Sequence, residues 1–271
     1  ETLYFATTEN DSFNEKGGFF YSVNSTNGDI IFKIPIVSRV YDSIEINSQE
    51  NIAIVGDAKG NISLYNTSKE SIANSERKIF TIETDYSIIS PAIQLDGPNN
   101  ETNYCVGNIN GEIKCYELNK GNKITLNEWG SLKFDGWIWS NIELYDDSLF
   151  LVTLSGNLYK VDVDLEGKNL NIAWEQNIDK NGKPVSGIMI YERGNVVNSI
   201  IPFDKDKLVI AELSNGSITD ELPFKDGVQS LPVMKNDFIY FVDKENKFRS
   251  YSLIDRSQKL CFDLNEMKGC D

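Results

Sequence analysis

Apolar and polar residues along this chain fall into short runs, and no amphipathic helical period competes with them. Asn51–Val55, Asn103–Val106, Ser148–Val152, Asn195–Ile201 and Asp237–Val242 are rich in β-branched and aromatic residues and end at turn formers, which predicts strands. A tight turn follows each run, at Lys59-Gly60, Asn110-Gly111, Ser155-Gly156, Asp204-Lys205-Asp206 or Glu245-Asn246. Gly or Asn there supplies the positive φ that hairpin turns need. Further strands are predicted at Ile62–Tyr65, Ile113–Tyr116, Leu158–Val161, Leu208–Ala211 and Phe248–Tyr251, most of them alternating polar and apolar. A last strand in each unit carries an aromatic residue: Lys78–Phe80, Glu128-Trp129, Ala173-Trp174 and Leu260–Phe262, with Leu222 or Phe224 standing in once. Too few residues separate these strands for crossover helices, so the sheets should be antiparallel.

A serine-led phrase precedes each set. It is anchored at Ser43, Ser90, Ser140, Ser186 and Ser230, about 44 to 50 residues apart, a period that signals repeat architecture. The phrase predicts a short inner strand, where small residues suit crowding. Four strands per repeat make a β-propeller blade. The expected fold is therefore all-β, a single propeller domain spanning 1–271 with about six blades, at 1–37, 38–85, 86–135, 136–180, 181–225 and 226–271. Leu3–Thr8, Gly18–Val23 and Asp29–Ile34 supply strands two to four of the first blade, with residues 10–17 as a longer hairpin insertion. This blade has no serine phrase, so its inner strand is missing. Residues upstream of Glu1 would supply it; the alternative is a ring with one three-stranded blade.

The segment from Leu3 through Gly18-Phe19-Phe20-Tyr21-Ser22-Val23 to Thr26-Asn27-Gly28-Asp29-Ile30-Ile31-Phe32 resembles the PQQ-like β-propeller repeat. Asn157–Asp162 with Trp174 looks like the same unit, and the resemblance runs over nearly the whole chain. It implies a propeller that commonly works outside the cytoplasm. One branch of the family, the quinoprotein dehydrogenases, holds PQQ and calcium and often carries adjacent cysteines. This chain has no adjacent cysteines, and neither a calcium set nor a catalytic Asp aligns. The other branch is non-catalytic, and the chain is similar to the outer-membrane protein assembly propeller lipoprotein and to cell-surface propellers.

Composition narrows the chemistry. A net charge of -15 with no clustered Lys or Arg argues against nucleic acid and anionic lipid surfaces. No run is long and apolar enough for a membrane helix. Histidine is absent, which removes the usual general base near neutral pH. The four cysteines form two close pairs. Cys105 and Cys115 flank the turn Asn108–Gly111; if Asn108 and Glu112 close it, the two cysteines face each other across a hairpin. Cys261 and Cys270 bracket the C-terminal segment. Two disulfides and an oxidising compartment follow; four buried thiols are the alternative. Asn-x-Ser/Thr triplets begin at Asn10, Asn24, Asn61, Asn66, Asn100 and Asn215, and they permit glycosylation without predicting it.

Few residues invite a functional assignment. Trp137 and Trp139 precede an inner strand, on or near the loops at one end of the ring. Tryptophan is enriched in binding hot spots and also stacks on sugars; packing between blades is the plain alternative. Glu45 and Glu143 hold the same place in their repeats. They would line a negatively charged channel, or simply be polar residues in a wet pore. Asp96 and Asp146-Asp147 read as solvated turn residues, because adjacent carboxylates on a strand point to opposite faces; calcium binding is the alternative. No catalytic, cofactor-binding or metal-binding set emerges. The expected function is non-enzymatic, extracytoplasmic protein binding. A relative or fragment of a PQQ/calcium dehydrogenase is the alternative, and a carbohydrate-binding surface protein, with glycan as ligand, is a second.

Overall fold

A computed structural model describes residues 1–8, 17–41, 44–70, 72–179, 182–204 and 206–270. Ser43, Asn10, Lys205 and the body of the predicted hairpin insertion lie outside these residues. Among the described residues the only helical pieces are single 3-10 turns at Asn74–Glu76 and Pro98–Asn100; the rest is antiparallel sheet and turn. The chain divides into two compact units, Glu1–Ser140 with Asp164–Leu170, and Asn141–Val163 with Asn171–Asp271.

The first unit holds three sheets. The first contains β1 (Thr2–Ala6), β2 (Phe19–Asn24) and β3 (Ile30–Pro35), in that order, and has three strands as expected. The second contains β4 (Glu45–Asn47), β5 (Ile52–Gly56), β6 (Asn61–Asn66) and β7 (Lys78–Glu83). The third contains β8 (Ile93–Asp96), β9 (Thr102–Gly107), β10 (Glu112–Lys120) and β11 (Ile124–Lys133). The fourth sheet, in the second unit except for its Asp164–Leu170 end, has β12 (Glu143–Tyr145), β13 (Ser148–Val152), β14 (Asn157–Asp164) and β15 (Asn169–Asn177). The fifth has β16 (Met189–Arg193), β17 (Val196–Phe203), β18 (Lys207–Glu212) and β19 (Ile218–Pro223). The sixth has β20 (Val233–Lys235), β21 (Phe238–Val242), β22 (Lys247–Ser252), β23 (Ser257–Asp263) and a two-residue edge strand, β24 (Lys268–Gly269).

A shared irregularity fixes the equivalence of these sheets. A register shift separates Ser22/Val23, Leu64/Tyr65, Cys115/Tyr116, Ile210/Ala211 and Ser250/Tyr251, each time between the third strand and the fourth. An extra residue there bends the outer strand and raises its twist. Counted from this mark, Tyr4, Ile54, Cys105, Ile200 and Tyr240 hold one place on the second strands. Glu45, Ile93, Met189 and Val233 pair with the last four of them from the inner strands. Nothing described pairs with Tyr4 on that side.

The serines do not lie inside the inner strands. Ser90, Ser140, Ser186 and Ser230 each stand three residues ahead of the strand. Ser90 shows why: its Oγ accepts the Gly107 N–H at 2.9 Å and donates to the Gly107 carbonyl at 3.1 Å. Ser230 Oγ likewise accepts the Val242 N–H at 2.9 Å. At these two serines a hydroxyl replaces the ladder partner where the inner backbone leaves the sheet, whereas the Ser140 and Ser186 hydroxyls are buried without a hydrogen-bond partner.

Cores form where successive sheets face each other. Phe20, Phe32 and Ile34 pack with Ala53, Val55 and Tyr65 between the first two sheets. Ile52, Ile54 and Leu64 meet Tyr104, Val106 and Tyr116 between the next two. The second unit repeats the arrangement around Phe150, Ile201 and Val209, and again around Ile210, Ile239 and Phe241. Each core is made by two sheets, so no sheet buries its apolar faces alone.

Candidate binding surface

Both predicted disulfides are present. Cys105 and Cys115 are directly opposed on β9 and β10, fully buried, with Cα atoms 4.1 Å apart. Asn108 and Glu112 close the intervening turn through the Asn108 N–H and the Glu112 carbonyl, 3.0 Å apart. Cys261 and Cys270 lie 5.4 Å apart at Cα and tie β24 to the edge of the sixth sheet.

In the second, third and sixth sheets the turns between second and third strands are built alike. Asp57 Oδ1 accepts the N–H groups of Lys59 and Asn61 at 2.9 and 3.0 Å. Asn108 Oδ1 accepts those of Asn110 and Glu112 at 2.9 and 3.1 Å. Asp243 Oδ1 accepts those of Glu245 and Lys247 at 2.8 and 2.9 Å. All three side chains are buried, so each turn is capped internally by a short polar side chain. Gly60, Gly111 and Asn246 take positive φ within these turns. A Cβ on Gly111 would lie 2.2 Å from the Gly136 carbonyl oxygen, because the connection to the next sheet passes directly over the turn.

In the first unit those turns and connections interlock into one rim. Ala58 N–H donates to the Arg39 carbonyl at 2.8 Å, and Ser87 Oγ donates to the Ala58 carbonyl. Ile109 N–H donates to the Ser87 carbonyl at 3.1 Å, and Ile138 N–H to the Asn108 carbonyl at 3.2 Å. Ile88 and Ile138 are buried and anchor the connections from below. The aromatic residues beside them point the other way. Tyr41, Tyr86, Trp137 and Trp139 are 59%, 42%, 52% and 37% exposed. The two tryptophans are therefore not packed away between sheets. Sequence reasoning singled out this pair and missed Tyr41 and Tyr86, although both flank the same connections. Trp129 and Trp174 are largely covered on outer strands instead, and Trp174 stands 6.2 Å from Phe150 ring to ring.

Glu45 and Glu143 do hold equivalent register places, opposite Ile54 on β5 and Phe150 on β13. They belong to different units. Burial raises both carboxyl pKa values above the ordinary one; at Glu143 the Asn141 amide, which donates to the carboxylate, partly offsets this. Asp146 adopts φ 49° in the β12–β13 turn, and among the described residues no three Asp, Glu or Cys side chains converge as a metal site would require. An open groove of about 620 Å³ separates β16 from β20, lined by Met189, Tyr191, Leu231 and Val233.

No family model matches this chain, and no curated protein sequence matches it. The likeness is structural. The crystal structure of BamB from Moraxella catarrhalis aligns with a TM-score of 0.65 at 10% identity, covering 99% of this chain and 76% of that one. At that identity the likeness speaks for the fold alone: the chain is a β-propeller of antiparallel sheets.

Proposed function

We propose that this propeller, built of PQQ-like repeats, is a non-enzymatic protein-binding scaffold that works outside the cytoplasm, with the aromatic rim of the first unit as its contact surface. The observation that carries this reading is the row Tyr41, Tyr86, Trp137 and Trp139, exposed on backbone that is bonded from sheet to sheet. Large aromatic side chains lose little conformational entropy on contact and dominate interface energetics. Exposing several of them in water has no folding benefit. The internally capped turns beneath supply a preformed platform. Two disulfides favour an oxidising compartment. A chain without histidine lacks the commonest acid–base group. The BamB likeness supports a scaffold role at the level of fold only.

The test is site-specific photo-crosslinking from position 137 in an envelope or secreted fraction, repeated from an exposed position on β19. Discrete protein adducts from 137 that disappear with Trp139→Ala are expected. Equal, diffuse labelling from both positions would overturn the rim as contact surface.

A further inference from the structure

Lys160 stands at a place where the other sheets bury their core. On β14 it lies opposite Phe150 of β13, which in turn lies opposite Glu143 of β12. Counted the same way, the second, third, fifth and sixth sheets set Leu64, Cys115, Ile210 and Ser250 at this place, and all four are buried. Residues directly opposed on an antiparallel pair share a face. The Phe150 face is the one that packs with Ile201, Phe203 and Val209 of the fifth sheet. The fourth sheet therefore aims a lysine at an interface between sheets. An ammonium group is costly to bury dry, and the interface opens there.

The opening is a cleft of about 260 Å³, near the lower end of small-ligand pockets. Its apolar lining is Phe150 from the fourth sheet with Val197 and Leu213 from the fifth. Its charges differ in sign from wall to wall. Lys160 comes from the fourth sheet and Glu212 from the end of β18, and the exposed Asp146 of the β12–β13 turn adds a second carboxylate. Among the described residues no ion pair joins Lys160 to Glu212 or Asp146. Lys160 Nζ lies 3.4 Å from Asp162 Oδ1 on its own strand, and Glu212 Oε1 accepts the Ser214 hydroxyl at 2.5 Å within its own turn. Opposite charges thus face one apolar cleft without meeting.

We propose that this cleft binds a free amino acid with an apolar side chain. A simple anion would be repelled by Asp146 and Glu212, and a simple cation by Lys160; a zwitterion satisfies both walls. Its carboxylate pairs with the Lys160 ammonium and its own ammonium with the Glu212 carboxylate. Its side chain covers Phe150, Val197 and Leu213, which removes apolar surface from water. Charge-assisted hydrogen bonds are stronger than neutral ones, and an apolar lining strengthens them further. The cleft belongs to the second unit and uses none of the rim residues, so it stands or falls apart from the rim.

The test is isothermal titration calorimetry of the full chain with leucine, methionine and phenylalanine. N-acetyl-leucine, which lacks the ammonium, and leucinamide, which lacks the carboxylate, serve as blocked ligands. Saturable one-to-one binding of a free amino acid is expected, with both blocked forms weaker by about tenfold or more, as when one charged contact is lost. Lys160→Met keeps an unbranched stem and Glu212→Gln keeps the side-chain shape; each should weaken binding by a similar factor while circular dichroism stays unchanged. No saturable binding of any of the three amino acids overturns the proposal. So does leucinamide binding as tightly as leucine, which would point to a simple amine or a peptide N-terminus. N-acetyl-leucine binding as tightly, or binding that tolerates either substitution, overturns it too.

Discussion

Leu3 on β1 and Tyr104 on β9 occupy the same register place, as do Phe5 and Val106. On β9 these side chains are 1% and 3% exposed; on β1 they are 56% and 43% exposed. The two strands have similar apolar character, and both pair with a third strand that meets its fourth through the same bulge. What differs is the neighbourhood. β9 has an inner strand on one side, a third strand on the other and a packed sheet against its Tyr104 face. Among the described residues β1 has a partner on one side only. The energetic weight of a residue in this fold is thus set by its place in the stack more than by its own hydrophobicity, as expected when repeats bury surface only against each other.

Truncation should expose that difference most strongly. Tyr104→Ala empties a buried aromatic site and removes the 3.0 Å bond between the Asn47 amide and the Tyr104 hydroxyl. A loss of about 3–5 kcal/mol is expected by urea denaturation, as for other buried aromatic truncations. The same hydroxyl should titrate late, because burial pushes its pKa to about 12. Leu3→Ala at the equivalent place should cost under about 1 kcal/mol, in line with its exposure. Equal costs at the two positions would mean that β1 is covered in solution.

The disulfides give a second, smaller contrast of the same kind. Cys105–Cys115 joins two central strands inside a packed core, whereas Cys261–Cys270 holds a two-residue strand at an edge. Replacing the first pair with alanine should lower global stability by about 2–4 kcal/mol, from the lost cross-link and the space left behind. Replacing the second should free the tail around Lys268, seen as faster amide exchange there, with little shift in the global transition. Opposite outcomes would show that the sixth sheet depends on its extra strand.

Much of this organisation was legible from residues alone. β13 runs Ser148–Val152 as expected, and the cysteine pairing followed from the hairpin register. The three-stranded first sheet was visible in its missing serine phrase. Other features escaped because their signal is not one of hydrophobic period. The serines were placed in the inner strands, yet the four described ones stand three residues ahead, and Ser90 and Ser230 act from there through a hydroxyl that completes the ladder. The turn signature shared by Asp57–Asn61, Asn108–Glu112 and Asp243–Lys247 lay in plain view. Its meaning depends on one side-chain oxygen receiving two backbone N–H groups. Tyr41 and Tyr86 gave no warning of exposure. Their neighbours Ile88 and Ile138 are just as apolar and fully covered, and only the crossing of connection over turn decides which points outward.

Charge on the inner strands completes the contrast and gives the smallest predicted effect. Glu45 on β4 pairs with Ile54, the equivalent of Tyr4, and partial burial raises its carboxyl pKa above the ordinary value of 4.5. A carboxyl whose pKa is raised by folding binds its proton more tightly in the native state. Its contribution is fully present below the unfolded pKa and is lost as pH rises through the folded one. At neutral pH the charge on this edge therefore opposes folding, while it discourages edge pairing. Glu45→Gln should raise the denaturation midpoint slightly at neutral pH and leave it unchanged in acid below the carboxyl range. Glu143→Gln should do less, because the Asn141 amide already stabilises the charged form. The informative measurement is the difference between variant and parent midpoints across the acid range. A gain that persists at low pH would trace the effect to packing and remove desolvation as its cause.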